Sequence, residues 1–358
     1  MSPARPPEGA RAAAARRRVG PKTVGALRAA AVVAALLAGA AVRAAAIATP
    51  GDGASPPAIA EEAGCPPPAA VPTQGDMLDG MRRAEDSGVL WKATKGGRSV
   101  YLYGTIHVAK MAWMFPGPQV MKAVMASDVI ALELDPADPQ IVARLQKAIL
   151  RRPGTPTLSA ALQRRLEARM AVACVAPATL AAMRPEMQAI SLEVLEGRDL
   201  GLYPDYGIDV FLAGMGHGMN KPVRSLETPE SQAALLVSDD PAETARAVGD
   251  LLDELETGKG PAMLQRLAGD WQRGDLADLD AYADWCDCLD TPQQKADFAK
   301  LVDARNPLMA DKVVKWHAEG KSLFVAVGTL HLIGRTGLPE LLKARGFQVE
   351  RVAFAPSR

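Results

Sequence analysis

The chain is short of excess positive charge, of long apolar runs and of histidine. Lys plus Arg and Asp plus Glu stand at 41 each, so the formal net charge is zero. Residues 1–48 hold eight of the basic groups and one of the acids, which leaves 33 basic against 40 acidic groups, a net of −7, beyond them. Nucleic-acid binding needs a basic face, so no nucleic-acid partner is expected. The apolar run at 29–42 has 14 residues, below the roughly 20 that a spanning helix requires. Contact with a membrane is therefore expected only through a leader that stays uncleaved. Four cysteines, with no second Cys or His pair at metal-ligand spacing, exclude a structural zinc site. Aromatics are few at 4%. The rest is ordinary: 48% apolar and 23% charged residues are enough for a globular domain with a sizeable core.

What is present begins with a leader. Arg11, Arg16, Arg17, Arg18, Lys22 and Arg28 precede the apolar run, and Ala46-Ile47-Ala48 fits small-x-small cleavage. Residues 1–48 therefore read as a signal peptide, with cleavage near Ala48 and an exported, periplasmic or extracellular product. Residues 49–76, rich in Pro, Ala and Gly, read as a flexible spacer. Residues 77–358 read as the folded domain. In an oxidising compartment Cys65, Cys174, Cys286 and Cys288 would form two disulfides. Cys286 and Cys288 lie too near each other in sequence to bond easily, so bridges from them to Cys174 and Cys65 are expected.

Two segments far apart read almost alike: Tyr103-Gly104-Thr105-Ile106-His107 and Val327-Gly328-Thr329-Leu330-His331. Each follows an apolar β-type run, and each precedes a helical stretch and another strand. Gly96-Gly97 between two short β-type runs predicts a hairpin. The pattern predicts an α/β fold: a central mixed or parallel sheet built from two strand–Gly-Thr-x-His–helix–strand halves. A large helical insertion spans about 136–320, with a short strand near 223–226 and one continuous helix over 292–316. In such sheets ligands bind at the carboxyl ends of strands. His107 and His331, two of only four histidines, both fall there, each after a glycine that lets the chain turn sharply.

Neutral imidazole is a good ligand for divalent metals, and a carboxylate is the usual third donor. Glu133, inside the apolar run at 129–134, is the best candidate, because an unpaired buried carboxylate is costly. The bland alternatives are a structural hydrogen-bonded histidine and a Glu133–Arg305 ion pair; duplication of the motif favours the functional reading. His317 is explained by charge complementarity with a helix end, and His217 by a turn in a Gly-rich stretch.

The paired Gly-x-x-His motifs, the run Ala131-Leu132-Glu133-Leu134-Asp135, Gly207-Ile208-Asp209, Leu226-Glu227-Thr228 and Arg305-Asn306 together resemble the TraB/PrgY/GumN family, which is similar in turn to the Tiki metalloproteases. The resemblance covers roughly 78–354. It implies an α/β fold with a helical insertion and a divalent-metal peptidase centre, with Mn2+ or Co2+ as the ion and Zn2+ as the generic alternative. His107, His331 and Glu133 would be the metal set, and Glu133 and Arg305 the catalytic groups, with Arg305 on the oxyanion. Asp209, Glu227 and Asn306 would orient ligands or substrate. The expected function is an exported metal-dependent hydrolase of peptides or small molecules. The alternative is a non-catalytic protein holding a peptide, haem or a metal in the same cleft.

Overall fold

The computed structural model describes residues 64–286 and 288–354; the signal-peptide reading lies outside them. Six strands form one mixed sheet: β1 (Leu90–Lys95), β2 (Arg98–Thr105), β3 (Val129–Leu132), β4 (Val223–Ser225), β5 (Leu323–Gly328) and β6 (Gln348–Arg351), in the order β4-β3-β5-β2-β1-β6. β4, β3, β5 and β2 run parallel, and β1 is antiparallel to both β2 and β6. β1 and β2 are joined by Gly96 and Gly97 at φ +57° and +76°, the left-handed pair that matches the twist of a two-residue hairpin.

The two halves interlock rather than lie side by side. β2 leads through the helix Pro118–Met125 to β3, yet β5 sits between them. β5 leads through the helix Leu338–Ala344 to β6, which joins the far edge on β1. β2 and β5 thus become neighbours, with Thr105 opposite Gly328. That register sets the two Gly-Thr-x-His turns beside each other at one edge of the sheet.

Strand periodicity divides the core. Ile130, Leu132, Phe324 and Ala326 face one side with the insertion helices, among them Pro185–Leu195 and Ile208–Gly218. Val129, Ala131, Leu323, Val325 and Val327 face the other with Asn306–Ala318 and Leu338–Ala344. Alternation along each strand, with both faces covered, is the pattern of a buried central sheet.

The short strand expected near 223–226 is β4, which extends the sheet from inside the insertion. Other expectations change. The helix expected over 292–316 is broken into Pro292–Phe298, a wider π-type turn at Ala299–Asp303, and Asn306–Ala318. Pro307, in the first turn of the last helix, has no N–H with which to carry the ladder back into the preceding turn, and Arg305 sits at that break. Part of the expected spacer is held: Cys65 is bridged to Cys174, and a helix starts at Gln74 with Thr73 as its cap. The other bridge joins Cys286 to Cys288, contrary to the expected pairing. The Cys286 N–H closes the short helix Tyr282–Trp285 on Tyr282 O, and the Cα atoms of the two cysteines are 5.0 Å apart. His317 is buried against the Phe347 ring, and burial lowers its pKa, so packing rather than charge at a helix end accounts for its place.

Candidate metal centre

Four parallel strands end at one edge, and each delivers a polar side chain within a few residues. β2 runs into His107, β5 into His331, β3 into Glu133 and β4 into Glu227. The β3–β4 pairing continues past the strands, with Leu226 N donating to Leu132 O at 2.7 Å and Glu227 N to Glu133 O at 2.9 Å.

Each motif histidine is fixed from behind by the first turn of a helix. His107 Nδ1 lies 2.6 Å from Asp209 Oδ2, and Asp209 opens the helix Ile208–Gly218, itself docked by Ile208 N on Ile106 O at 3.2 Å. His331 Nδ1 lies 2.6 Å from Asn306 Oδ1, at the start of Asn306–Ala318, and Asn306 Nδ2 is held by Thr336 O at 2.9 Å. Both acceptors demand an Nδ1–H. The free lone pair is therefore on Nε2 in both rings, the arrangement typical of metal-ligating histidine.

Their electrostatics differ. Burial pushes the His107 imidazole down, but the Asp209 carboxylate more than offsets it by charge and hydrogen bond, and the pKa ends above the ordinary value. Burial dominates at His331, and Arg305 and His107 add to it against Glu133, so its pKa falls to about 3.

Between the histidines lies a buried acid cluster. Glu133 Oε2 receives Arg305 Nη2 at 2.5 Å, and Arg305 also grips Glu227 through Nη2 and, at 2.9 Å, through Nε. Arg305 Nη1 donates to Leu301 O at 2.9 Å, in the π-type turn. Burial raises the Glu133 carboxyl, but Arg305, both histidines and the Gly328 N–H outweigh it, and its pKa drops to about 2. Gln232 completes the cluster, its Nε2 donating to Glu227 Oε2 at 2.9 Å and to Glu133 Oε2 at 3.2 Å, while its buried Oε1 has no hydrogen-bond partner. Sequence reasoning missed Gln232; the cue was its place in the helix Pro229–Leu236, which starts two residues after Glu227.

Gly328 marks the focus. A Cβ there would stand 3.3 Å from His107 Nε2, 3.4 Å from Glu133 Oε1 and 3.7 Å from His331 Cδ2. Its φ is −48°, so it makes no left-handed turn of the kind expected of it; what its missing Cβ leaves is space among the donors. Gly104 is also not left-handed; its Cβ would meet Thr329 Oγ1 at 2.7 Å and Val89 Cγ2 at 2.9 Å. The first glycine lets the two motifs pack together, and the second leaves a gap between donors.

The donor types around that gap are those that divalent ions take. His107 Nε2, Glu133 Oε1 and the His331 ring edge at Cδ2 border it, and Asp209, Glu133 and Glu227 against Arg305 leave a formal charge of −2 with both rings neutral. The donors stand back from a closed shell: His331 Nε2 is 3.8 Å from Glu133 Oε1, and among the described residues no three His, Cys, Asp or Glu groups are drawn into a tight ligand set.

A sequence profile of the TraB/PrgY/gumN family matches residues 89–351. The chain belongs to this family. The match takes in every residue of the cluster from His107 to His331. The chain is also similar to the uncharacterized protein YbaP of Escherichia coli K12 and to that of Shigella flexneri, each 29% identical over 155 residues, which are 43% of this chain and 54% of the relative. It thus spans about half the length of the curated relatives it matches. No solved structure matches it.

The fold brings together His107, His331, Glu133, Asp209, Glu227, Arg305 and Asn306, all named from sequence. It leaves out the other two histidines. His217, in the last turn of Ile208–Gly218, bonds Asp135 at 2.7 Å, and His317 packs on Phe347.

Proposed function

We propose that the protein is an exported, divalent-metal-dependent hydrolase acting on peptide bonds. The carrying observation is the convergence of His107 Nε2, Glu133 Oε1 and the His331 ring on the point where a Cβ of Gly328 would stand, in a cluster of formal charge −2 with both rings neutral. An ion of the Mn2+, Co2+ or Zn2+ kind held there would supply Lewis acidity and lower the pKa of water.

The side chains divide the remaining work. Asp209 and Asn306 hold the imidazoles with Nε2 presented to the gap. Arg305 and Gln232 hold Glu133 by Oε2, which leaves Oε1 toward the gap with the Gly328 N–H at 2.8 Å. A carboxyl with a pKa near 2 is a weak proton acceptor, which favours Glu133 as a ligand over Glu133 as a general base. Arg305, bound to two carboxylates and a carbonyl, is a counter-charge for the acids rather than a free donor for an oxyanion. His107 and Asp209, with side chains 15% and 16% exposed against 4% for His331, mark the open side from which substrate enters. The Cys65–Cys174 and Cys286–Cys288 bridges favour an oxidising compartment. No helix among the described residues is long and apolar enough to cross a membrane.

The test is cleavage of a peptide library by the mature protein with Mn2+, Co2+ or Zn2+ added, and again with chelator. Cleavage that chelator and His331→Ala both abolish is the expected result. Chelator-insensitive cleavage would overturn metal dependence, and bound metal without turnover would favour the ligand-holding reading.

A further inference from the structure

Residues 65–73 carry no helix or strand hydrogen-bond pattern, yet they are fastened along the domain. Cys65 is bridged to Cys174 at one end, and Thr73 caps the helix Gln74–Arg83 at the other. Four of the seven residues at 66–72 are proline. Pro66, Ala69 and Pro72 are half-buried, while Pro67, Pro68, Ala70 and Val71 are exposed. The carbonyls that bind the domain repeat at the same interval: Tyr203 OH donates to Pro67 O at 3.0 Å, and Tyr206 OH to Ala70 O at 2.7 Å. A three-residue repeat with free carbonyls is that of the polyproline II helix, which has no internal hydrogen bonds and is preformed in proline-rich chains.

The receiving surface is built for such a chain. Tyr203 and Tyr206 pack edge to face with ring centroids 5.6 Å apart and are covered when the segment is in place. Aromatic side chains that donate to the carbonyls of an extended proline-rich segment are a common means of peptide recognition. The contacts use backbone oxygens and small inward side chains, so nothing in them is particular to residues 66–72. The ledge also shares a backbone unit with the first motif. Tyr203 and Ala109 exchange both backbone hydrogen bonds at 2.9 and 3.0 Å, and Asp209, three residues after Tyr206, holds His107.

We propose that the Tyr203–Tyr206 ledge is a binding site for an extended, proline-rich peptide chain, and that residues 66–72 are its resident occupant. The inference rests on the ledge and its hydrogen bonds, not on the hydrolase reading. The strap keeps the ledge filled, and a proline-rich chain from another molecule binds once the strap is displaced.

The experiment uses the full chain and a fluorophore-labelled synthetic peptide of residues 66–72, read by fluorescence anisotropy. The strap is released with Cys65→Ser and Cys174→Ser together with Pro66→Asp, Ala69→Asp and Pro72→Asp, which put charge on its inward face. The released variant should bind the peptide, and the wild type should not. Adding Tyr203→Phe and Tyr206→Phe should weaken binding roughly 30-fold, from two hydrogen bonds of ordinary strength. A released variant that keeps a cooperative thermal transition but does not bind overturns the proposal, as does binding that the Tyr→Phe changes leave intact. Should the aspartates unfold the chain, Cys65→Ser with Cys174→Ser alone serves as the released form. The tethered strap then competes, and no Tyr-dependent binding at millimolar peptide would equally sink the idea.

Discussion

His107 and His331 leave neighbouring parallel strands on the same four-residue motif, yet the two turns are not equivalent. The first imidazole is backed by a carboxylate on the open side of the cluster, and its pKa rises. The second is backed by an amide in the interior, and its pKa falls to about 3. The first glycine gives room to the other motif's threonine, and the second gives room to the donors themselves. Thr329 Oγ1 donates to Thr105 O at 2.9 Å, whereas the buried Thr105 hydroxyl has no partner. One motif used twice thus yields a polarised site, with the imidazole of raised pKa at the more exposed side and that of lowered pKa inside.

The largest effect should come from the group that stands between the halves. Arg305→Met leaves Glu133 and Glu227 buried together without their guanidinium, and should cost about 3–5 kcal/mol of stability by chemical denaturation. A loss below about 1 kcal/mol would show that the acids find another counter-charge. Next come the glycines. Gly104→Ala overlaps Thr329 and Val89, and should cost about 1–3 kcal/mol with metal affinity retained. Gly328→Ala should leave stability within about 1 kcal/mol but weaken metal binding by more than about tenfold. Similar profiles for the two variants would erase the distinction between the turns.

Exchanging the partners sharpens the comparison. Asp209→Asn and Asn306→Asp should each change metal affinity by about 10–100-fold. By NMR titration, the first should lower the His107 pKa and the second raise that of His331. In the wild type, His107 has a folded pKa above its unfolded one, so its contribution is full below the ordinary histidine range and is lost as pH rises through the folded value. His331 has the opposite sign: stability held above the ordinary range is lost as pH falls toward about 3. Loss at high pH, but not at low pH, should disappear in Asp209→Asn. The smallest effect belongs to the threonines: Thr329→Val should cost about 1 kcal/mol, and Thr105→Val close to nothing.

Much of this arrangement was legible because it depends on short-range signals. Gly96-Gly97 fixed the hairpin, and apolar runs ending in Gly-Thr-x-His, Glu133 and Glu227 marked strand ends at which polar side chains collect. What escaped depends on relations that spacing does not encode. The glycine roles follow from which atoms approach them across the sheet, and Gln232 reaches Glu133 only because β4 brings Glu227 alongside. The Cys286–Cys288 pairing follows from the close approach of their Cα atoms just after a short helix. The docked strap at 66–72 looks like any linker until the tyrosines are in place.

The central claim is that both turns serve one ion. Metal titration calorimetry on wild type, His107→Ala and His331→Ala tests it most directly. One divalent ion per chain in the wild type, and loss of binding in each single variant, is the expected result. Full occupancy retained by both variants would contradict it.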